Sequence, residues 1–247
     1  MLAAIKSELR KLYTVRSTYV VVALAVVMVI IFAFYGEGLR VNPEALHNPH
    51  LLASETAEAI QAVGILGALV GVLLVTHEYR YNTIVYTLTA SRSRTRVLLA
   101  KLIAVSCFAV LFTLFIGALS PAMTALGIHI KGAALTAQSF PFADMIWRVL
   151  LAGWGFAVLT FIVAVIIRMQ VGAVAAMFLI PATVEPLLGL LLKHNAVYLP
   201  FGNLGTILQS ILGHTDISIQ RAVAVLAAYV VAGLLAAWIL FVRRDAS

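Results

Sequence analysis

Charged side chains are scarce in this sequence, and their scarcity decides its broad class. Only 11% of the 247 residues are charged and 63% are hydrophobic, whereas a soluble domain is typically about 25% charged and about 45–50% apolar. The mean hydropathy is +1.05. This composition excludes an ordinary water-soluble enzyme and indicates a protein that crosses a membrane several times.

Motifs of catalysis and metal binding are missing as well. Cys107 is the one cysteine, so neither an internal disulfide nor a cysteine-based metal site is possible. The sequence lacks the G-x-x-x-x-G-K-[ST] phosphate loop, the His–Glu zinc motif and the G-x-S-x-G elbow. His47 and His50 are too weak a set of ligands to indicate a metal site and are interpreted as residues of a surface loop. We therefore predict no catalytic residue, no metal and no cofactor in this chain.

Six long apolar runs dominate the sequence. Each approaches the length of about 20 residues that a helix needs to cross a bilayer. They cover approximately residues 18–35, 56–76, 97–119, 146–167, 171–192 and 220–242. Only a helix satisfies its backbone hydrogen bonds within one such segment. We predict an all-α membrane protein whose six spans form a single transmembrane domain over residues 1–247.

Lysine and arginine are distributed unevenly between the loops. With the N-terminus placed inside, twelve of the 17 Lys and Arg residues fall on the inner side, as the positive-inside rule expects. Six spans then leave both termini cytoplasmic. The first apolar run is longer than a signal-peptide core of about 7–15 residues, so we interpret it as an uncleaved span. The net charge of +7 is therefore mainly a topology signal, and nucleic-acid binding is not predicted.

Two short helices are predicted outside the six spans. Residues 1–16 carry apolar side chains at spacings of three and four beside a basic face, which is typical of an amphipathic helix in the membrane interface. These apolar side chains are Leu2, Ile5, Leu9 and Leu12. A short helical extension of the first span is the alternative. Between spans five and six, LGTILQSILG (204–213) indicates a second short helix that dips into the outer leaflet.

Polar side chains within the spans mark a candidate substrate path. Glu185 lies in the outer half of span five between Pro181 and Pro186, which we expect to kink the helix. An ionised group at such a depth requires a partner, a cavity or an exposed helix end. Arg148 in span four lies at a compatible depth, so a structural Glu185–Arg148 pair and a role in a substrate path or gate are both open. Gln61 in span two is a further candidate, either for this path or for an interhelical hydrogen bond.

The segment between spans two and three, HEYRYNTIVYTLTASRSRTR (77–96), holds more than a polar turn requires. Ile84 and Leu88 are spaced to share one side of a short helix, for which Asn82 is the predicted N-cap. A short amphipathic helix at the inner rim offers a docking surface to a soluble partner. The alternative for its arginines is a basic topology anchor at the lipid surface.

This segment resembles the loop between helices two and three of ABC-2 type transporter permeases. Those loops carry an acid at the end of helix two, then Gly-Thr-Ile/Leu, a further Leu and a basic cluster. The matching residues here are Glu78, Thr83, Ile84, Leu88, Arg92, Arg94 and Lys101. The sequence departs from the pattern at Asn82, where Gly is common, and at Ala90-Ser91, where Pro is frequent. The layout of six spans with two short helices is similar too.

The resemblance implies partners and an activity. The loop would be a coupling helix that docks on a separate P-loop ATPase subunit, and ATP and magnesium would bind to that subunit. The residues assigned to docking are Glu78, Tyr79, Arg80, Thr83, Ile84, Leu88 and Arg92. A second permease subunit, identical or related, would share a bacterial-type plasma (inner) membrane and its lipid with this chain. The complex would export an amphipathic or hydrophobic substrate such as a drug, an antimicrobial peptide or a lipid-like molecule.

Two other functions are compatible with the residues alone. A stand-alone secondary transporter or channel would use Glu185 as an ion or proton site, although the spans show no two-half repeat of the kind many such carriers use. A non-transporting membrane anchor for a cytosolic partner would tolerate the loss of Glu185 and depend on residues 78–88. The first requires an ion gradient and no ATPase, and the second requires no transport at all.

Overall fold

The computed structural model describes residues 1–91, 93–132, 140–212 and 217–243. Within these residues the chain forms eleven α-helices, joined in places by π-helical or 3-10 turns. In chain order they are α1 (Leu2–Thr14), α2 (Arg16–Val29), α3 (Pro43–His47), α4 (Pro49–Arg80), α5 (Ile84–Ser91), α6 (Arg94–Ile130), α7 (Phe142–Ile167), α8 (Gln170–Leu179), α9 (Glu185–Leu192), α10 (Pro200–Gln209) and α11 (Ile219–Arg243). The protein is all-α, as its apolar runs predict.

Six helical stretches of the described chain are long and apolar enough to cross a membrane, which confirms the predicted membrane fold. Spans 1 to 6 are Arg16–Leu39, Pro49–Arg80, Arg94–Ile130, Phe142–Ile167, Gln170–Tyr198 and Ile219–Arg243. Each apolar run found in the sequence lies inside the corresponding helix. The apolar runs underestimate the lengths of the helices, because a helix continues beyond its apolar segment wherever packing and hydrogen bonding support it.

Spans 2 and 3 are much longer than their apolar cores. They contain 32 and 37 residues, which corresponds to about 48 Å and about 55 Å of helix at about 1.5 Å per residue. The hydrocarbon core of a bilayer is only about 30 Å thick. Both helices are therefore long enough to extend beyond the hydrocarbon, and α5 joins the end of span 2 to the start of span 3.

Span 5 is interrupted where its two prolines lie. α8 ends at Leu179, a π-helical turn covers Ile180–Val184, and α9 begins at Glu185. Pro181 lies in the π-helical turn and Pro186 in the first turn of α9. Because proline lacks an N–H group, it breaks the regular α-helical hydrogen bonding at both points. The α-helix is therefore interrupted where the prolines predict a disturbance, and the interruption places Glu185 at a helix start.

Spans 2 and 4 form the centre of the bundle. In the most apolar stretch of these two helices 56% and 61% of residues are buried, against 11% in span 5 and 22% in span 6. Span 2 packs against spans 1, 3 and 4, and α10 packs against span 4 and span 6. The outer spans leave most of their apolar side chains exposed, which suits contact with lipid chains.

The two ends of the bundle carry different short helices. α1, the start of α6, the α7–α8 turn and the end of α11 meet around the end of span 2, where α5 begins. We call this end the N-terminal face. Because successive spans alternate in direction, α3 and α10 lie at the opposite end, which we call the far face. Each face holds a group of polar residues with a defined geometry.

Spans 1 and 3 touch backbone to backbone towards the far face. A Cβ atom built on Gly127 would lie 2.6 Å from the carbonyl oxygen of Phe34 and 2.7 Å from the Cα atom of Gly38. No side chain fits at these distances unless the two helices separate. Small residues at such a contact are the usual means by which membrane helices approach closely.

Replacing Gly127 by valine is expected to destabilise the bundle by about 1–3 kcal/mol, the usual cost of overpacking. Thermal unfolding of the purified protein in nanodiscs measures this loss. Gly64→Val is the matched control, because a Cβ atom built on Gly64 meets no other atom within 4 Å. Equal unfolding temperatures for the two variants would contradict the close contact between spans 1 and 3.

Candidate functional sites at the two faces

Four charged side chains meet at the N-terminal face and form what we call the charge cluster. The Lys101 ammonium lies 3.0 Å from Glu8 Oε2 and 2.9 Å from Glu78 Oε1. The Lys11 ammonium lies 2.6 Å from Glu8 Oε1 and also donates to Glu78 Oε1. Lys101 is only 2% exposed, Glu8 2% and Glu78 6%. The cluster therefore ties α1 to the end of span 2 and the start of span 3.

Lys11 is held in its charged form by this arrangement. Burial would lower the pKa of its amine, but the hydrogen bonds and charges of Glu78 and Glu8 outweigh burial and raise the pKa above its ordinary value of 10.5. Two carboxylates thus face two ammonium groups, and the cluster as a whole is neutral. Buried charges without such partners carry a large desolvation cost.

Glu8 and Lys11 are functional candidates that pattern reasoning misses. The sequence draws attention to Glu78 and Lys101 separately, through the resemblance of their loop, but not to α1 as the element that joins them. One signal is present in the sequence. Glu8 lies one helical turn before the buried Leu12, so the acid falls on the face of α1 that packs against the bundle.

α5 turns its predicted docking residues towards the bundle. Ile84 is 3% exposed, and Leu88 packs against the hydrophobic core. The exposed side of the helix instead presents Val85 and Tyr86, which are 45% and 75% exposed. Ile84 and Leu88 therefore hold α5 in place, while Val85 and Tyr86 are the side chains that a partner could contact.

The turn before α5 explains one departure from the family pattern. Asn82 has a φ of 52°, the left-handed region that glycine occupies freely and asparagine tolerates better than most residues. Asn82 therefore performs the role of the common glycine. It is not the N-cap that the sequence suggests, because α5 begins at Ile84 and the preceding residue is Thr83, which is exposed.

Three successive residues at the end of span 2 contact three different parts of the protein. Glu78 binds the charge cluster, and the Arg80 guanidinium donates to the Gln170 side-chain oxygen on span 5 at 3.1 Å. The Tyr79 ring lies under the guanidinium of Arg168, whose carbon is 5.5 Å from the ring centroid. Arg92, the remaining residue assigned to docking, lies outside the described residues. The end of span 2 is thus connected to spans 3 and 5 and to the α7–α8 turn.

Two cavities border α5 on the side that faces α1. A cavity of about 460 Å³ lies between α1, span 2 and α5, and another of about 520 Å³ lies between α1, α5 and the start of span 3. Lys11, Tyr86 and Thr87 line both cavities. α5 packs mainly against span 3. It therefore has room to shift relative to α1, while the residues at its start remain attached to the bundle.

At the far face, Glu185 binds the first turn of α10. Its two carboxylate oxygens accept the N–H groups of Phe201 and Gly202 at 2.9 Å and 2.7 Å. The first N–H groups of a helix have no partner within the helix, and the N-terminal end carries partial positive charge. A carboxylate satisfies both needs. Glu185 is 6% exposed, so this contact is made in the interior.

Arg148 binds the opposite end of the same helix. Its guanidinium donates to the hydroxyl of Ser210, which caps the C-terminus of α10, and forms an ion pair with Asp144 at 2.9 Å. A cation near a helix C-terminus and an anion at its N-terminus both complement the helix dipole. The predicted structural pair between Glu185 and Arg148 is therefore absent, because each residue has a different partner. They meet through α10 instead.

The remaining polar groups of the far half differ in their surroundings. Gln61 is half-buried on span 2, and within the described residues no hydrogen bond or ion pair joins it to Glu185 or Arg148. Asn203 of α10 is fully buried and donates its side-chain N–H to the carbonyl oxygen of Ala222 on span 6 at 2.8 Å. Sequence reasoning misses Asn203, since it lies in a loop-like FGN stretch with no helical pattern.

Comparison with protein-family models identifies the family of this chain. The model of a family described as ABC-2 family transporter protein matches residues 4–184, which covers most of the chain. The matched part includes the charge cluster and α5, and it ends directly before Glu185 and the helix that Glu185 binds. No curated protein matches the sequence.

Proposed function

The chain belongs to the ABC-2 transporter family and is a membrane permease of the ABC type, and from this premise we propose how it works. We propose that it is the permease subunit of an exporter driven by a separate P-loop ATPase. Two permease subunits, identical or related, share the substrate path. The substrate is an amphipathic or hydrophobic molecule such as a drug, an antimicrobial peptide or a lipid-like compound, and it moves outward.

The proposed orientation puts the N-terminal face in the cytoplasm of a bacterial-type cell. Arg80, Arg94, Arg168 and Arg243 all lie at helix ends on this face, which agrees with the positive-inside rule. A soluble ATPase is then able to reach α5. The far face, with α10, opens towards the outside.

The observation that carries the proposal is the way in which α5 is attached to the bundle. It is a short helix between the ends of spans 2 and 3, anchored by Ile84 and bordered by two cavities, with Val85 and Tyr86 exposed. The residues that precede it are bonded to α1 and to spans 3 and 5. Such a helix suits a coupling element, because a force applied to it reaches several spans at once. Docking contacts come from the exposed side, and Glu78, Tyr79 and Arg80 transmit the movement.

Tyr86→Glu is expected to release the ATPase subunit. Exposed aromatic residues at the centre of an interface are frequent hot spots, and their loss typically costs about 2 kcal/mol or more. The ratio of ATPase to permease after gentle extraction and purification should fall by about tenfold or more. Tyr13→Glu, at a tyrosine that is 69% exposed on α1, is the matched control and should retain the ATPase. Retention of the ATPase by Tyr86→Glu would exclude this side of α5 as the docking surface.

Purification of the chain from its native host tests the function as a whole. A nucleotide-hydrolysing partner in near-equal amount supports the transporter. Purification without such a partner, under several extraction conditions, would reject it in favour of a self-contained carrier. The position of Glu185 argues against the carrier, since both of its oxygens are engaged by backbone N–H groups.

We further propose that α10 closes the substrate path at the far face. It packs between span 4 and span 6, and Glu185 and Arg148 hold its two ends. Movement of this helix would open the path to the outside, with Gln61 further along span 2. Glu185 and Arg148 are then residues that position a gate rather than residues that bind the substrate directly.

A further inference from the structure

Span 6 connects the two faces through defined contacts at both of its ends. At the N-terminal face, Arg168 donates to the carbonyl oxygen of Leu240 at 3.0 Å, and its guanidinium carbon lies 5.9 Å from the centroid of the Phe241 ring. The same guanidinium carbon also lies 5.5 Å from the centroid of the Tyr79 ring. Tyr79 precedes α5 by five residues. Arg168 therefore links the segment that leads into α5 to the last turn of span 6.

The contact at the far face involves the first turn of span 6. Asn203 of α10 donates to the carbonyl oxygen of Ala222 at 2.8 Å, and both residues are fully buried. The oxygen of the Asn203 side chain has no hydrogen-bond partner among the described residues. A buried amide that satisfies only one of its groups is costly, so a purely structural role would be served as well by an apolar side chain. Its one bond is directed at span 6.

The helix between these contacts is suited to transmit movement. Span 6 is a continuous α-helix of 25 residues, without the interruptions found in spans 1 and 5. Only 22% of its most apolar stretch is buried, and its packed residues form one side that faces span 4, where Gly233 lies against Ile162 and Leu226 lies against Gly155. A continuous helix that is bonded at both of its ends moves as one body.

We propose that span 6 acts as a connecting rod between α5 and α10, and that Arg168 and Asn203 are the positioning residues at its two ends. This inference rests on the proposed function, in which ATP binding moves α5 and α10 is the gate. Movement of α5 passes from Tyr79 to Arg168, displaces span 6, and pulls on α10 through Asn203. Arg94 holds the same end of span 6 to span 3 by a bond to Val242 at 3.0 Å, so the rod moves together with the start of span 3.

Cysteine labelling of the complex tests this chain of contacts. Since the sequence contains one cysteine, Cys107→Ala provides a cysteine-free background. Gln209→Cys, at an exposed position at the end of α10, reports on the gate. Ile130→Cys is the reference, because Ile130 is 61% exposed and lies at the end of span 3. The rate of reaction with a membrane-impermeant maleimide is measured for the complex with its ATPase in nanodiscs, with and without a non-hydrolysable ATP analogue.

The first comparison uses one test variant at each end of span 6 and one control variant on each face. Arg168→Met removes the guanidinium, and Asn203→Leu removes the amide while it keeps the branched shape of the side chain. For each variant, the nucleotide-dependent change in the labelling rate of Gln209→Cys is expected to fall by about threefold or more. The change in the labelling rate of Ile130→Cys should be affected much less. Arg16→Met and Asn195→Leu, at exposed positions on the two faces, are the matched controls and should behave like the parent.

The combination of variants separates transmission from simple destabilisation. If both residues act on one path, the double variant Arg168→Met/Asn203→Leu is no worse than the stronger single variant. Tyr79→Phe keeps the ring under Arg168 and should preserve the response, whereas Tyr79→Leu should reduce it. Additive effects, or equal effects at both reporters, would overturn the inference. Absence of any nucleotide response in the parent complex would instead reject the proposed function itself.

Discussion

Lys101→Met is expected to detach α1 from the bundle and to lower the stability of the protein by about 3–5 kcal/mol. Methionine keeps an unbranched apolar stem like that of lysine but removes the charge that contacts both Glu8 and Glu78. Lys11 would then face two buried carboxylates by itself. The cost arises from this uncompensated charge, and it therefore exceeds the value of about 0–1 kcal/mol that is usual for a surface ion pair.

Thermal unfolding in nanodiscs and limited proteolysis of the N-terminus measure the two effects. Lys6→Met is the matched control, since Lys6 is exposed on the same helix. The double variant Lys101→Met/Glu8→Gln restores equal numbers of positive and negative charges and should recover part of the stability. An unfolding temperature of Lys101→Met equal to that of the control would show that the charge cluster does not hold α1.

Glu185→Leu is expected to free the first turn of α10. The carboxylate accepts two N–H groups, at Phe201 and Gly202, and hydrogen bonds to a charged group contribute about 1.5–3 kcal/mol each. Hydrogen–deuterium exchange of the peptide that contains Phe201 and Gly202 should accelerate by about 10-fold or more. Glu185→Gln should show an intermediate rate, because its side-chain carbonyl supplies one oxygen in place of two.

The same measurement distinguishes the gate from an ion site. Glu58→Leu, at an exposed glutamate, is the control and should leave the exchange of α10 unchanged. If Glu185 served as the proton site of a secondary carrier, Glu185→Gln would abolish gradient-driven transport without loosening α10. Unchanged exchange in Glu185→Leu would contradict the role of Glu185 as the anchor of α10.

α5 illustrates how far pattern reasoning reaches. The spacing of Ile84 and Leu88 predicts a short helix, and a helix is present. The same spacing does not tell which body the apolar side faces, and in the structure it faces the protein's own span 3. A pattern of apolar residues defines a face that needs burial, and both the bundle and a partner are able to bury it. Val85 and Tyr86 are exposed because the bundle, and not a partner, buries the side with Ile84 and Leu88.

The far face gives the same lesson for charged residues. Depth along the helices correctly brings Glu185 and Arg148 to one end of the bundle, but the direct pair, which is one of the two alternatives left open by the sequence, does not form. α10 lies between them and offers N–H groups at one end and Ser210 at the other. An ionised group in a membrane protein requires a partner. The amino-acid sequence does not reveal whether that partner is a side chain or a backbone group.

The sequence by itself determined the membrane class, the number of spans, the interruption of span 5 and the existence of α5 and α10. These features depend on the local order of residues, because hydropathy, helix length and proline act within one segment. Only the tertiary structure decided the charge cluster, the clamp on α10 and the contacts of span 6. The residues that meet there are far apart in the chain, such as Glu8 and Lys101, and which of them meet depends on the packing of six helices rather than on any one helix.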